Sequence, residues 1–254
     1  MRTEILYEDK SIMVVRKPAG LAVQSAGIGQ PDVVSELKSY LAKLPGAGRQ
    51  GKGEPYLGIV HRLDQPVEGL LVFAKDKKAA AALSKQLTEG ALNKHYYAVL
   101  CGYPDCPEGD LVDYLRKEGN VAVAVTGREQ EFADAKIAAL HYRILEEIND
   151  PSPLALADVT IGTGRFHQIR VQFAHAGFPL FGDTKYGMAA LKEAMPAQKY
   201  RGVALCAYSL ELVHPISGKK MEFRVVPKNP AFAGFAMEEL KKLTENETGI
   251  SKRG

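Results

Sequence analysis

Short apolar runs alternate along the chain with segments of helical spacing. Two β-rich runs, 5–7 and 12–15, flank the turn-like residues 8–11 and predict an N-terminal hairpin. Further strands are predicted at 57–64, 69–75, 94–100, 154–161, 203–213 and 221–226, with several more inside 111–145. Strands in series with helices inserted between them favour an α+β fold with a mixed, mostly antiparallel sheet and flanking helices.

Four segments show the apolar spacing of amphipathic helices: 32–44, 77–89, 166–176 and 229–243. Asp32 is a suitable N-cap for the first helix, and Gly90 and Gly177 are suitable stops for the second and third. No break in composition divides the chain. We therefore expect a single domain over 1–243 and a polar tail at 244–254.

Composition indicates where the protein is located and which partners it can bind, but it does not indicate an activity. The 254 residues are 46% hydrophobic and 25% charged, with a net charge of +3, which permits a nucleic-acid partner without requiring one. The N-terminus lacks a signal peptide, and no apolar run is long enough to span a membrane. Cys101, Cys106 and Cys206 lie in no zinc-type spacing. We expect reduced thiols, no metal site, no membrane contact and a cytoplasmic location.

Residues 45–55 contain glycines at the spacing of two nucleotide-binding motifs. The dinucleotide fingerprint needs a strand before it and a helix after it, whereas here a helix precedes and Pro55 follows. The phosphate-loop motif needs Ser or Thr after its lysine, and this chain has Gly53 after Lys52. We therefore predict an ordinary flexible loop.

Two charged residues stand out in apolar surroundings. Arg170 shares one face of the predicted 166–176 helix with apolar side chains, so it either reaches outward to water or meets a buried carboxylate. Asp64 ends an apolar strand before Pro66, where it is either a turn-forming residue or that carboxylate. A carboxylate held ionised by a cation in a partly apolar site suits a nucleophile or a base.

Several motifs in the chain resemble those of one enzyme family. Lys17-Pro18-Ala19-Gly20-Leu21 is followed by His61-Arg62-Leu63-Asp64, then by Gly164-Arg165-Phe166-His167-Gln168-Ile169-Arg170-Val171, then by Gly182-Asp183-x-x-Tyr186-Gly187. In this order they resemble the signatures of the RluA-type pseudouridine synthases over roughly residues 5–227. The resemblance implies that family's catalytic fold, with a central active-site cleft, and isomerisation of uridine to pseudouridine in RNA. It also implies that the domain over 1–243 is the catalytic domain, and we expect no separate N-terminal RNA-binding domain of the kind that some relatives carry.

The resemblance also implies roles for particular residues. Asp64 matches the catalytic aspartate, Arg170 the arginine that pairs with it, and Tyr96 the tyrosine that packs against the target base. Arg62 matches the arginine that helps to displace that base from its stack. Other polar residues of the same motifs are expected to bind substrate: His61, Arg165, His167 and Gln168.

The implied reaction breaks the N1–C1′ bond and joins C5 to C1′, with no net oxidation and no added group, so we expect no cofactor. Attack at C1′ and removal of the C2′ proton both remain open for Asp64. The expected partner is structured RNA, ribosomal or transfer, bound by a monomer. The chain departs from the family at Val67-Glu68, where Thr-Ser is frequent, and at Phe166, where Thr or Ser is common.

Two rival functions are considered. An N-glycosidase uses paired carboxylates, and Asp64 and Glu68 are four residues apart. Pro66 lies between them, so they are not expected to share a helical face. A non-catalytic RNA-binding protein of the same fold needs no set such as Asp64, Tyr96 and Arg170, which favours the isomerase.

Overall fold

The structure is a computed structural model that describes residues 1–25, 27, 29–44, 54–126, 134–149, 152–187 and 202–236. Most of the predicted loop 45–55, residues 237–243 of the last predicted helix and the whole polar tail lie outside these residues. Among the residues described, no helix is long and apolar enough to cross a membrane.

Eleven strands and three α-helices make up the described chain. The strands are β1 Glu4–Glu8, β2 Ile12–Lys17, β3 Gly58–Ile59, β4 Glu68–Ala74, β5 Asn93–Cys101, β6 Glu108–Glu118, β7 Val121–Ala124, β8 Lys136–Ile148, β9 Leu154–Ile161, β10 Leu205–Val213 and β11 Lys220–Arg224. The helices are α1 Val33–Lys43, α2 Lys77–Thr88 and α3 Gln168–His175, and a short 3-10 helix covers Pro230–Phe232. This content confirms the predicted α+β class with a mostly antiparallel sheet.

The chain forms two compact units. Unit 1 contains Met1–Lys94 and Ala207–Val225, and unit 2 contains His95–Cys206 and the chain from Val226 onward. In unit 1 the strand order is β1-β2-β4-β10, with β11 beside β10 and β3 beside part of β4. The β1–β2, β2–β4 and β10–β11 ladders are antiparallel, which confirms the predicted N-terminal hairpin. Helix α2 packs on β3 and β4.

Unit 2 is built on the strand order β5-β9-β8-β6-β7. The β5–β9, β8–β9, β6–β8 and β6–β7 ladders are all antiparallel. Helix α3 covers one face of this sheet, where Val171 packs with Leu115, Ala122 and Ala138.

Local sequence signals account for most of the elements. Asp32 caps α1 by accepting a hydrogen bond from Ser35 N at 2.6 Å, and Asp76 caps α2 by accepting one from Ala79 N at 2.8 Å. Gly90 follows α2 with φ +71°, the left-handed conformation expected of a helix stop. Strand β9 has the predicted bounds.

Three predicted elements differ from the structure. The strand predicted at 57–64 shrinks to β3, and 61–64 are irregular. The helix predicted from Phe166 begins two residues later, because His167 adopts φ 54°, outside the helical region. The helix predicted from Asn229 is replaced over its described part by the 3-10 helix and turns.

A buried lysine joins β2 to the segment that carries Asp64. Lys17 is 0% exposed, and its ammonium group donates to the carbonyl oxygens of Leu21 at 2.7 Å and of Pro18 and Gln65 at 3.0 Å. Gly20 N donates to the same Gln65 oxygen at 2.8 Å. The Lys17–Leu21 turn therefore holds the backbone immediately after Asp64.

Gly69 allows β4 to pass close to β10. Its φ is +130°, and a Cβ at this position would lie 2.7 Å from Ala207 Cβ and closer still to the Ala207 carbonyl oxygen. Such contacts are shorter than atoms tolerate, and the obstacle is backbone that cannot move aside. Any side chain at 69 must therefore separate the two strands.

Gly69→Ala should destabilise the protein strongly, because it adds both backbone strain and a clash with β10. The expected loss is about 2–6 kcal/mol in the free energy of unfolding, measured by chemical denaturation. Gly90→Ala is the matched control, since Gly90 also has positive φ but nothing within 4 Å of the added Cβ. It should cost only about 1–2 kcal/mol. Equal losses in the two variants would contradict the close-approach argument.

Lys17→Met should remove about 3 kcal/mol of stability, because it leaves buried carbonyl oxygens without a donor. Burial lowers the pKa of Lys17 from 10.5 to about 7, against the attraction of Asp64 and Glu68. Between about pH 7 and 10.5 the unfolded chain binds a proton that the folded chain does not, so this group makes stability rise with pH. Chemical denaturation at pH 7 and pH 9 should show the wild-type advantage over Lys17→Met growing at pH 9. An advantage that is constant with pH would contradict a lowered pKa.

Candidate active site

Asp64 lies in a tight turn of unit 1 between β3 and β4. Its carbonyl oxygen accepts a hydrogen bond from Val67 N at 3.1 Å, and the next residue, Gln65, is held by Lys17 and Gly20. The Asp64 side chain is half-buried. The turn therefore holds the carboxylate on a backbone anchored at both ends while leaving it accessible.

His61 and Arg62, the two polar residues shortly before Asp64, differ in their exposure to solvent. Arg62 is exposed, and within the part of the chain that the structure describes it makes no hydrogen bond or ion pair. Its guanidinium is thus available to an anionic or aromatic partner. The expectation that Arg62 acts on RNA is compatible with this position and stays a prediction.

His61 is 7% exposed, and its Nε2 accepts a hydrogen bond from Val72 N of β4 at 3.2 Å. The proton is therefore on Nδ1, which is buried and has no hydrogen-bond partner among the described residues. Burial first, and the nearby charge of Lys94 second, lower the pKa of His61 to about 3. The neutral ring occupies the place where β3 would otherwise continue along β4, which explains why the predicted strand is short.

Arg170 in unit 2 contacts a buried carboxylate and does not reach outward to water, which decides between the two alternatives that the sequence left open. Its Nε lies 2.7 Å from Asp183 Oδ2 and its Nη2 lies 2.8 Å from Asp183 Oδ1, with 5% and 0% of the two side chains exposed. The guanidinium also lies 5.1 Å from the centre of the Tyr186 ring. This bidentate contact sets the plane of the guanidinium and does not involve Nη1.

Asp183 was missed by sequence reasoning, although it belongs to the Gly182-Asp183-x-x-Tyr186-Gly187 motif. Its Oδ1 also accepts hydrogen bonds from Lys185 N at 3.0 Å and Tyr186 N at 3.2 Å. The carboxylate therefore organises the turn after residue 182 as well as Arg170. A charged residue inside a motif of glycines and an aromatic was the available signal.

Tyr96 is buried on the face of the unit 2 sheet that α3 covers. On neighbouring strands it is aligned with Val159, which is aligned with Tyr142, and paired residues of antiparallel strands share a face. The Tyr142 ring packs edge-on against Phe173 of α3 at 5.6 Å. Tyr97, the next residue of β5, points to the opposite face because side chains alternate along a strand.

The residues at the start of α3 form hydrogen bonds inside unit 2. Gln168 Oε1 accepts from Thr163 Oγ1 at 2.7 Å and from Arg165 N at 3.0 Å, while its Nε2 donates to Ala139 O at 3.0 Å. His167 Nδ1 is 2.6 Å from the Tyr186 hydroxyl. Arg165 Nε donates to Ile137 O at 2.9 Å. Binding of substrate by these three residues stays a prediction, and Gln168 is largely occupied in shaping the turn.

Unit 2 brings Arg170, Asp183 and Tyr186 into one cluster, with Tyr96 on the same side of the sheet. Asp64, Arg62 and His61 belong to unit 1. The expected pairing of Asp64 with Arg170 joins residues of the two units and stays a prediction.

Glu68, the second carboxylate of the glycosidase hypothesis, is buried in β4. Its Oε2 lies 3.5 Å from Arg16 Nη2, and 3% of the residue is exposed. A carboxylate that activates water needs access to water. The position of Glu68 therefore disfavours a hydrolytic pair with Asp64.

The three cysteines are free thiols: Cys101 and Cys206 are buried and Cys106 is exposed. Burial raises the pKa of the Cys101 thiol to about 11, so this group is protonated and inert at neutral pH. Among the described residues, no group of three or more His, Cys, Asp or Glu side chains is placed to hold a metal ion.

The sequence was compared with known proteins. Residues 11–175 match the family model described as RNA pseudouridylate synthase. The ribosomal large subunit pseudouridine synthase D of Zymomonas mobilis is 36% identical over 230 residues, covering 87% of this chain and 68% of that protein. An uncharacterized RNA pseudouridine synthase of Bacillus subtilis is 34% identical, covering 88% of this chain and 68% of that protein. The chain thus spans about two thirds of the length of these relatives.

Solved structures agree on the fold. Human RNA pseudouridylate synthase domain containing 1 aligns with a TM-score of 0.72 at 19% identity, over 96% of this chain and 94% of that one. Human RNA pseudouridylate synthase domain containing 4 aligns with a TM-score of 0.68 at 24% identity, over 94% and 93%. The family model matches 165 residues, and both relatives are more than 30% identical over most of this chain. The chain therefore belongs to the RNA pseudouridylate synthase family, whose members isomerise uridine in RNA.

Proposed function

We propose that Asp64 is the essential carboxylate with which this chain converts uridine to pseudouridine in RNA. The observation that carries the proposal is the turn at 64–67, where Lys17 and Gly20 anchor the backbone beside a half-buried carboxylate. A side chain held on an anchored backbone loses little freedom on reaching its target atom. The resemblance of His61-Arg62-Leu63-Asp64 to the family motif supports the same residue.

The chemistry requires only positioning and one carboxylate. The N1–C1′ bond breaks, the base turns, C5 bonds to C1′, and the proton lost from C5 is balanced by one gained at N1. No electrons enter or leave and no group is added, so we propose that the reaction proceeds without cofactor or metal. Asp64 attacks C1′ in one route and removes the C2′ proton in the other, and both routes need it ionised.

Arg170 and Tyr96 complete the proposed catalytic set. The bidentate contact with Asp183 holds the Arg170 guanidinium rigidly and leaves Nη1 outside that contact. A preorganised cation of this kind stabilises an ionised carboxylate and the charge that develops on the leaving base. Tyr96, buried on the α3 side of the sheet, provides an aromatic surface against which the base turns.

The proposed substrate is structured RNA, and ribosomal RNA of the large subunit is the first candidate. The relative from Zymomonas mobilis carries that substrate in its name and shares 36% of aligned residues. Transfer RNA is the second candidate. We propose that the chain acts as a monomer in the cytoplasm, with Arg62 helping to displace the target base from its stack.

Asp64→Asn should abolish turnover while preserving the fold and RNA binding, because the amide keeps the volume of the side chain and removes its charge. We expect a rate loss on the order of 10³-fold or more, measured as pseudouridine formed in RNA by purified protein. Asp105→Asn is the control, since it makes the same change at an exposed position. Turnover near the wild-type level in Asp64→Asn would remove Asp64 from the mechanism.

Cells that lack this chain should lose pseudouridine at one or a few sites of large-subunit ribosomal RNA, with transfer RNA unchanged. Reintroduced wild-type protein should restore those sites and the Asp64→Asn protein should not. The measurement is a transcriptome-wide map of pseudouridine in the parent strain and in these three derived strains. Loss confined to transfer RNA would show that the ribosomal assignment is wrong while leaving the activity intact.

A further inference from the structure

An aromatic ring stands at the surface of unit 2 directly before α3. Phe166 is 39% exposed, which is unusual for a phenylalanine beside a packed helix. It occupies the position where Thr or Ser is common in the family motif. No part of the proposed chemistry uses this residue.

One face of the Phe166 ring packs against the ring of His167. The His167 ring stacks on it with centroids 3.8 Å apart and planes inclined by 22°. His167 is held in turn by the Tyr186 hydroxyl at 2.6 Å, and that oxygen accepts a hydrogen bond from Ala122 N at 2.8 Å. The aromatic pair is thus tied to β7 and to the turn after residue 182.

The backbone at His167 is strained in a way that keeps this arrangement. Its φ of 54° makes it the one residue other than glycine with positive φ in the described parts of the chain. A non-glycine residue in this conformation costs energy that the surrounding contacts must offset. The strain turns the chain so that residue 166 faces outward while Gln168 begins the helix.

The other face of the Phe166 ring meets a cation. Lys117 Nζ lies 4.9 Å from the ring centre, and because His167 fills the first face, the ammonium lies over the second. Lys117 is exposed at the end of β6 and forms no ion pair with any described residue. A flexible side chain without a carboxylate partner can move aside and remain nearby.

We propose that Phe166 is a stacking platform for one unpaired base of the RNA substrate and that Lys117 contacts a phosphate beside that base. The inference rests on the proposed function and adds a binding site to it. Unpaired bases stack on exposed aromatic rings, and their phosphates attract lysine. Arg165, the residue before Phe166, contributes a second positive charge, so the surface suits a polyanion better than an apolar protein segment.

The first test uses an RNA that cannot be turned over. A labelled single-stranded oligoadenylate of about 12 nucleotides contains no uridine, and adenine stacks well on aromatic rings. Phe166→Ala should weaken its binding by about 5- to 100-fold, which corresponds to stacking of one base. Phe166→Trp should bind at least as tightly as wild type, and Phe166→Ser should behave like Phe166→Ala.

A second probe separates stacking from charge. On a ribose-phosphate chain of the same length without bases, Phe166→Ala should bind like wild type. Lys117→Gln should weaken binding of both probes and reduce the slope of log affinity against log salt by about 0.7, the value for one phosphate contact on a single strand. Tyr114→Ala is the matched control, since Tyr114 is 44% exposed on the opposite face of the sheet and should change neither result.

Several results would overturn the proposal. These are binding of oligoadenylate by Phe166→Ala within twofold of wild type, equal binding by Phe166→Leu and Phe166→Trp, or no binding of this probe by wild type. Thermal unfolding confirms that each variant is folded, and Lys117→Gln tests the same site without altering the ring. Pseudouridine formation by wild type is measured separately. Activity with unaltered Phe166→Ala binding contradicts this inference alone, whereas absent activity with the expected binding pattern contradicts the proposed function alone.

Discussion

Lys17 places a cation where no water reaches it, and the surrounding chain is arranged to satisfy it. Carbonyl oxygens from the turn at 18–21 and from Gln65 accept its hydrogen bonds. Backbone oxygens are useful here because they bind the ammonium group without neutralising it. The hydrogen bonds join the end of β2 to the turn before β4. Burial lowers the pKa of Lys17 to about 7, so its charge beside Asp64 and Glu68 is present below that pH and is lost above it.

Arg170 and Asp183 are also buried charged groups, in unit 2, and each compensates the charge of the other. Both side chains are buried and ionic, and each would be costly alone. The carboxylate is satisfied further by two backbone N–H groups, and the guanidinium by the Tyr186 ring. A cation set in this way has little freedom to reorient, which is the property that a catalytic arginine requires.

The start of α3 links this rigid cluster to the surface. Gln168 forms hydrogen bonds with Thr163, Arg165 and Ala139, and His167 forms one with Tyr186. Phe166 lies between His167 and the solvent. These contacts therefore give a rigid support to the exposed Phe166 ring, which is the proposed platform for a base of the RNA substrate.

The sequence by itself determined the elements whose signals are local, together with the family. The periodicity and the Asp caps predicted α1 and α2, strand composition predicted β9, and the order of motifs identified the chemistry.

Only the tertiary structure decided the ends of β3 and α3 and the partner of Arg170. The strand expected to reach Asp64 ends at Ile59, because the His61 ring takes the Val72 N–H that a longer strand would have used. Helix α3 begins late, because contacts of His167 with Tyr186 and of Thr163 with Ala139 hold the residues before it in a turn. Arg170 forms an ion pair with the buried carboxylate of Asp183, 13 residues further along the chain. Such partners come from segments that no local period connects, so their pairing depends on packing.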